Sequence, residues 1–157
     1  MVEATRLDMN KMSPEAYRHL LQLEGLISQK IEPTLYHLIK LRASQINGCA
    51  YCIDMHWKDA RANGETEQRL YGLDAWEESP YYTDRERAAF AWIEAVTNLH
   101  DGHVSDGVYD KVKGQFNEKE ITDLTVIAAT INAWNRLAIA GRSAAGSYKP
   151  KASTPTG

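Results

Sequence analysis

Helix punctuation recurs along the whole of this chain and leaves little room for a sheet. Ser13-Pro14 is a start signal, a capping hydroxyl followed by Pro at the first helical position, where its missing N–H costs nothing. Leu20, Leu21, Leu23, Leu26 and Ile27 follow as an apolar stripe. Pro33 opens a second helix with Leu35, Leu38, Ile39 and Leu41 near a 3.6 period, ending close to Ile46. Asn47-Gly48 breaks it, and a third helix runs from about Cys49 to Ala62, closed by Asn63-Gly64. Thr66 caps a short helix through Leu70, Leu73 and Trp76. Thr83-Asp84-Arg85-Glu86 is a capping box that opens a helix carrying Ala88, Ala89, Trp92, Ile93 and Val96. His100-Asp101-Gly102-His103 interrupts it, and Ser105 starts a helix with Val108, Tyr109, Val112 and Phe116. Asn117 and Glu120 form a second capping box before a long apolar helix over about 118–145.

Nothing alternates with period two over a strand length between turn signals. The sequence therefore predicts an all-α fold, a compact bundle of about six to seven helices. It divides into an N-terminal arm over 1–12, one helical domain over 13–148 and a flexible polar tail over 149–157. A chain of 157 residues is long enough to bury a sizeable core. A net charge of -3 argues against non-specific nucleic-acid binding, which needs a concentrated basic surface. No apolar run approaches the ~20 residues that span a bilayer. The first residues lack the apolar core of a secretory signal, so a cytoplasmic location is expected, with neither membrane nor nucleic acid as partner.

There are two cysteines, Cys49 and Cys52, in Cys49-Ala50-Tyr51-Cys52-Ile53-Asp54-Met55-His56. One close pair is not a secreted disulfide framework, so it reads as redox chemistry or as half a metal site. On a helix, offsets of three, four and seven share one face, and both sulfurs and the His56 imidazole converge. Cα atoms three apart on a helix lie roughly 5 Å apart, within disulfide reach. The first turn also meets the positive end of the helix dipole, which favours thiolate. Thiol redox chemistry uses such parts: a thiolate that attacks, a second thiol that resolves the sulfenic acid, and an imidazole that moves the proton. Two rival readings stand beside this one. A Cys pair facing a core is often an inert pair of small hydrophobes. C-x-x-C is also zinc spacing, with His56 as a local third ligand and His37 as a fourth, but no second C-x-x-C accompanies it. The haem-attachment pattern fails because Ile53 follows Cys52.

The run Leu41-Arg42-Ala43-Ser44-Gln45-Ile46-Asn47-Gly48 before this motif resembles, together with it, the signature of the AhpD-like alkylhydroperoxidases of the carboxymuconolactone decarboxylase superfamily. The resemblance extends over about residues 15–145, through Gly64-Glu65-Thr66-Glu67-Gln68-Arg69-Leu70, Ser79-Pro80, Thr83 to Ala89, and Ala133-Trp134-Asn135-Arg136-Leu137-Ala138. It implies an all-helical fold, a buried C-x-x-C at a helix N-terminus, and homo-oligomers (dimers, trimers or hexamers). It implies reduction of hydroperoxides at the expense of a thiol reductant that the sequence does not identify, with no organic cofactor or metal. Cys52 then resembles the peroxidatic thiolate, Cys49 the resolving thiol and His56 the His of the proton relay. Two departures stand out. The family usually has Glu twelve residues before the first Cys, where this chain has His37. Tyr51 stands inside the C-x-x-C, where the best-known redox members carry a second His. His37 reads either as a direct proton acceptor or as a packed core His. Lactone decarboxylation works in that branch without the Cys pair and ranks lower. A redox-sensing oligomer without turnover is a further alternative.

The remaining candidates read blandly. His100 and His103 flank Asp101 at a solvated helix end, and His19 reads as exposed. Arg42 and Gln45 face either the site or an interface. Arg136, in the most apolar helix, reads as buried and paired with Glu94, Asp123 or a partner subunit. The four Trp residues read as core or interface anchors. The charged stretches 58–69 and 110–120 read as solvated faces, and Glu24 and Glu32 as acids off the family pattern. The last helix is apolar on more than one face, which also favours an oligomer.

Overall fold

The computed structural model describes residues 5–150. Among the described residues the fold is all-helical, with no strand. The helices are α1 (Met9–Met12), α2 (Pro14–Ile27), α3 (Pro33–Asn47), α4 (Ala50–Ala62), α5 (Glu67–Tyr71), α6 (Asp84–Thr97), α7 (Asp106–Lys113) and α8 (Glu118–Gly141). Single 3-10 turns follow α5 at Leu73–Ala75 and α6 at Leu99–Asp101. The count exceeds the expected six to seven because a helix of 4 residues, α1, forms within the expected N-terminal arm.

Local chemistry sets most boundaries. Both expected capping boxes form: Thr83 Oγ1 and Asn117 Oδ1 accept from the backbone N–H groups of Glu86 and Glu120, whose carboxylates reach back. Gly48 ends α3 in the left-handed conformation (φ 67), which suits Gly because a Cβ there is strained. At the end of α4, Glu65 N–H donates to the carbonyl of Ala60 at 3.0 Å, with Gly64 also left-handed. Three expected boundaries shift. The third helix starts at Ala50, with Cys49 as its cap. The 66–76 segment splits into α5 and a 3-10 turn. The last helix stops at Gly141, not 145, because Arg142 turns left-handed (φ 53) and the N-terminal segment pins this end. There the N–H groups of Arg6 and Leu7 both donate to Gly141 O, and a Cβ on Gly141 would sit 2.7 Å from Leu7 O.

Helix α3 is the centre of the bundle, packed against α4, α6 and α8. It buries Leu35, Leu38, Ile39, Leu41 and Ala43, so it is apolar on more than one side. Ala89, Phe90 and Ile93 of α6 and Leu124, Ile127 and Ile131 of α8 meet it at helical spacings. Each buried Leu, Ile or Phe side chain among them contributes roughly 1.5–3 kcal/mol. Trp76 and Trp92 are buried in this core, and Trp57 and Trp134 pack against it partly covered. By contrast α2 buries only Ile27, and Leu21, Leu23 and Leu26 are exposed.

Two readings of polar residues are corrected. Arg136 is exposed and donates to Asn132 Oδ1 and O, four residues back, without an acidic partner in these contacts. Glu94 instead holds Arg42 and the Trp76 indole N–H, so Arg42 ties α3 to α6. The 58–69 stretch is not simply a solvated face: Ala60 and Glu65 are buried, and Arg69 bridges Glu65 and Glu86. In 110–120, Val112 and Phe116 are buried on the inner side. His100 and His103 are exposed, as is His19.

Residues 143–148 fold over α4. Lys58 Nζ donates to the carbonyls of Gly146 and Tyr148, and Gly146 N–H donates to Asp54. The expected arm and tail lie partly outside the described residues, at 1–4 and 151–157.

Candidate active site

Cys49 is the N-cap of α4 and Cys52 sits in its first turn. The two are joined by a disulfide with Cα atoms 5.3 Å apart, and each is 1% exposed. Cys52 N–H donates to Cys49 Sγ at 3.3 Å, so the sulfur does the work a capping oxygen usually does. The turn before it is fixed from below. Cys49 N–H donates to Ser44 O. Ser44 Oγ accepts from Asn135 Nδ2 at 3.0 Å, and Asn47 Nδ2 donates to Asn135 Oδ1 at 2.8 Å and to Asn132 Oδ1 at 3.0 Å. Asn135 is fully buried within the apolar α8. The Asn in that helix therefore anchors the α3–α4 corner that carries the cysteines.

A cavity of about 640 Å³ opens beside this turn. Its wall includes Cys52 but not Cys49, along with Tyr51, His56 and Asp59 of α4, and Tyr36, His37 and Lys40 of α3. Tyr17, Trp134 and Tyr148 add aromatic surface, so the space suits an organic molecule with few charges. His56 follows Cys52 by one helical turn and is 3% exposed. Neither of its ring nitrogens has a hydrogen-bond partner. Burial first, then the charges of Lys40 and His37, hold its proton affinity well below the ordinary imidazole range, so it is neutral at pH 7. His37 lies 6.4 Å from it, ring centre to ring centre. His37 is also pushed down by burial, with Asp59 opposing, and its Nε2 is 3.3 Å from Asn63 Nδ2.

The structure thus brings Cys49, Cys52, His56 and His37 together. It adds residues that the sequence reading passed over. Lys40 is 2% exposed, and its ammonium pairs with Glu24 of α2. Tyr36 also donates to Glu24 and accepts from Lys40 Nζ at 3.0 Å, while Trp134 Nε1 donates to Glu24 Oε2 at 2.9 Å. Burial alone would raise the Glu24 carboxyl, but the Lys40 charge and three donated hydrogen bonds hold it below the usual range. Burial pushes Lys40 down against the opposing pull of Glu24. Tyr36 is pushed far up by burial and by the Glu24 charge. Asp59 is the second addition. It lies one turn beyond His56 and accepts from Tyr148 OH at 2.7 Å. A lysine inside an apolar helix, three positions after His37, and an acid three after His56 are the signals that mark both.

An all-helical bundle with a buried C-x-x-C at a helix N-terminus and a His one turn on defines an AhpD-like protein. The chain belongs to the carboxymuconolactone decarboxylase family, whose profile matches residues 14–95. It is 42% identical over 136 residues to the uncharacterized protein YdfG of Bacillus subtilis (strain 168), covering 86% of this chain and 92% of that one. An Agrobacterium tumefaciens protein of unknown function, ATU0492, put forward as an antioxidant-defence protein AhpD, superposes with a TM-score of 0.89 at 41% identity, over 92% of this chain and 100% of that one. An uncharacterized peroxidase-related protein from Ralstonia eutropha JMP134, with an alkylhydroperoxidase AhpD core, shares the fold at 16% identity, with a TM-score of 0.78 over 88% and 75% of the two chains. No helix among the described residues is long and apolar enough to cross a membrane.

Proposed function

We propose that this chain is a thiol peroxidase that reduces organic hydroperoxides. The observation that carries the reading is a redox-competent Cys pair in which Cys52, and not Cys49, borders a cavity shared with a buried, neutral, unpartnered His56. In the reduced protein His56 takes the Cys52 proton, and the helix N-terminus favours the resulting thiolate. The thiolate attacks the outer peroxide oxygen. The O–O bond breaks, the alkoxide takes the proton back from His56 and leaves as an alcohol, and Cys52 becomes a sulfenic acid. Cys49 then displaces hydroxide from that sulfur, which leaves as water with the Cys49 proton, and the disulfide forms. A dithiol reductant restores both thiols by exchange.

His37 stands at the sequence position where the family usually has Glu, and its ring centre is 6.4 Å from that of His56. In this reading it relays the proton between His56 and Asp59, so the negative charge sits one residue further out. The exposed leucines of α2 supply an apolar surface for a second copy of the chain, and we infer a homo-oligomer.

The test is stopped-flow reaction of the reduced protein with cumene hydroperoxide and H₂O₂ in EDTA, followed by thiol counting. Loss of both thiols per chain, abolished in Cys52→Ser, supports the reading. A reaction no faster than that of an ordinary free thiol sinks it.

A further inference from the structure

Three donor side chains converge on the cavity wall apart from the sulfurs. His37, His56 and Asp59 each present one ligand atom, and these atoms all lie within 4.8 Å of one another. His56 and Asp59 share a face of α4, and His37 faces them from α3. Two rigid helices therefore hold the donors.

The second observation is polar dissatisfaction. His56 is 97% buried, and neither nitrogen has a partner; His37 Nδ1 is buried and unpartnered as well. A buried polar atom without a partner costs about 1–3 kcal/mol, so three in one place require an explanation. An outer group already orients one of the donors: Tyr148 OH donates to Asp59 Oδ1. The nearby cation Lys40 opposes a second positive charge, but Glu24 neutralises it.

We propose that His37, His56 and Asp59 bind one divalent transition-metal ion, with zinc favoured and an open coordination position toward the cavity. Two imidazoles and a carboxylate with a free fourth position suit Zn²⁺. With Zn–N and Zn–O bonds of about 2.0–2.2 Å, tetrahedral ligand atoms lie roughly 3.4 Å apart. Side-chain rotations of about an ångström close the site from its present spacing. The donors exclude both cysteines, so the oxidised protein binds the ion too. If His56 serves the thiols as proposed above, metal occupancy and peroxide reduction exclude each other.

The experiment uses the disulfide form of the full chain, stripped with EDTA and dialysed. Co²⁺ is titrated and followed by its visible d–d bands, then displaced with Zn²⁺, with calorimetry giving stoichiometry. One ion per chain is expected. His37→Leu and Asp59→Asn should each weaken binding by more than the roughly 10–100-fold that an orienting residue costs. His37→Glu, which offers another donor, should retain the 1:1 stoichiometry. The exposed His103→Ala should change nothing. Helical circular dichroism and melting temperature confirm that each variant is folded. Absence of a four- or five-coordinate Co²⁺ spectrum, or binding unchanged in both His37→Leu and Asp59→Asn, overturns the proposal. Since this assay contains no free thiols and no turnover, failure of the peroxidase reading leaves it intact.

Discussion

Replacing Glu24 by Gln removes one charge and almost no volume, and it strands Lys40. The ammonium is 2% exposed, and Glu24 is its only ion-pair partner among the described contacts. Breaking a buried pair from one side typically costs about 3–5 kcal/mol, because the surviving charge stays desolvated. Lys40 has an escape, which is to lose its proton. Holding an ordinary lysine neutral costs about 1.36 kcal/mol for each pH unit below about 10.4, or about 4 kcal/mol at pH 7.5. That sets the ceiling on the effect. The sign of the pH dependence follows. The unfolded variant binds a proton at Lys40 that the folded one gives up, so its stability should rise with pH up to about 10.4. Urea unfolding by circular dichroism at pH 6.5, 7.5 and 8.5 measures both quantities. We expect Glu24→Gln to lose about 3–4 kcal/mol at pH 7.5 and to recover part of it at pH 8.5. The double variant Glu24→Gln/Lys40→Met should recover most of that loss and show no such pH trend, because no charge is then left buried and the Gln carbonyl still accepts a hydrogen bond. A loss below about 1 kcal/mol with no pH trend would show that Lys40 is solvated in the folded chain, and the argument would fail.

Four shorter expectations accompany it. In Cys49→Ser, peroxide treatment should leave a Cys52 sulfenic acid that dimedone traps and mass spectrometry locates, while His56→Leu should slow thiol oxidation by about 10²–10⁴-fold. Asn135→Ala unpairs one Asn47 donor and takes from Ser44 Oγ the bond it accepts, leaving the one it donates to Lys40 O, and should cost about 1–3 kcal/mol in urea unfolding; a loss within error would remove the polar anchor from the α3–α4 corner. The carboxyls of Glu24 and Glu86 are held below 4.5, Glu86 by Arg69 and the Thr83 N–H in spite of burial. Their stabilisation should be complete above pH 4.5 and disappear as pH falls through the folded values, so melting temperature should drop steeply from pH 5 to 3, and less steeply in Glu86→Gln. Leu26→Glu should lower the mass measured by light scattering if α2 is the contact between copies, and an unchanged oligomer would place that contact elsewhere.

Much of the fold was legible in local chemistry. The two capping boxes, Pro33, Gly48 and Asn63-Gly64 act within a few residues, so they mark helix ends without knowledge of the tertiary fold. The end of α8 was not legible, because the contact of Arg6 and Leu7 with Gly141 joins opposite ends of the chain. The Cys49–Cys52–His56 face was readable because one helix carries all three. Lys40 with Glu24, and Asp59 with His37, were not, since each pair joins two helices and no periodicity reports which charges meet across a cavity. Arg136 misled for a related reason. The apolar character of α8 suggested burial all round, whereas residue 136 falls on its solvent side and the buried polar position is its neighbour Asn135.

The Cys49–Cys52 bridge spans a sequence separation of only 3. A cross-link that short removes little freedom from an unfolded chain, roughly 2 kcal/mol by loop entropy, against about 4.7 kcal/mol for a loop of 100 residues. The fold does not lean on its sulfur bond. What holds the corner is an amide ladder, Asn47 to Asn135 to Ser44, which no oxidant or thiol alters. In the proposed cycle the bond opens and closes while the scaffold around it keeps its shape, as a latch moves on a door frame that is fixed to the wall.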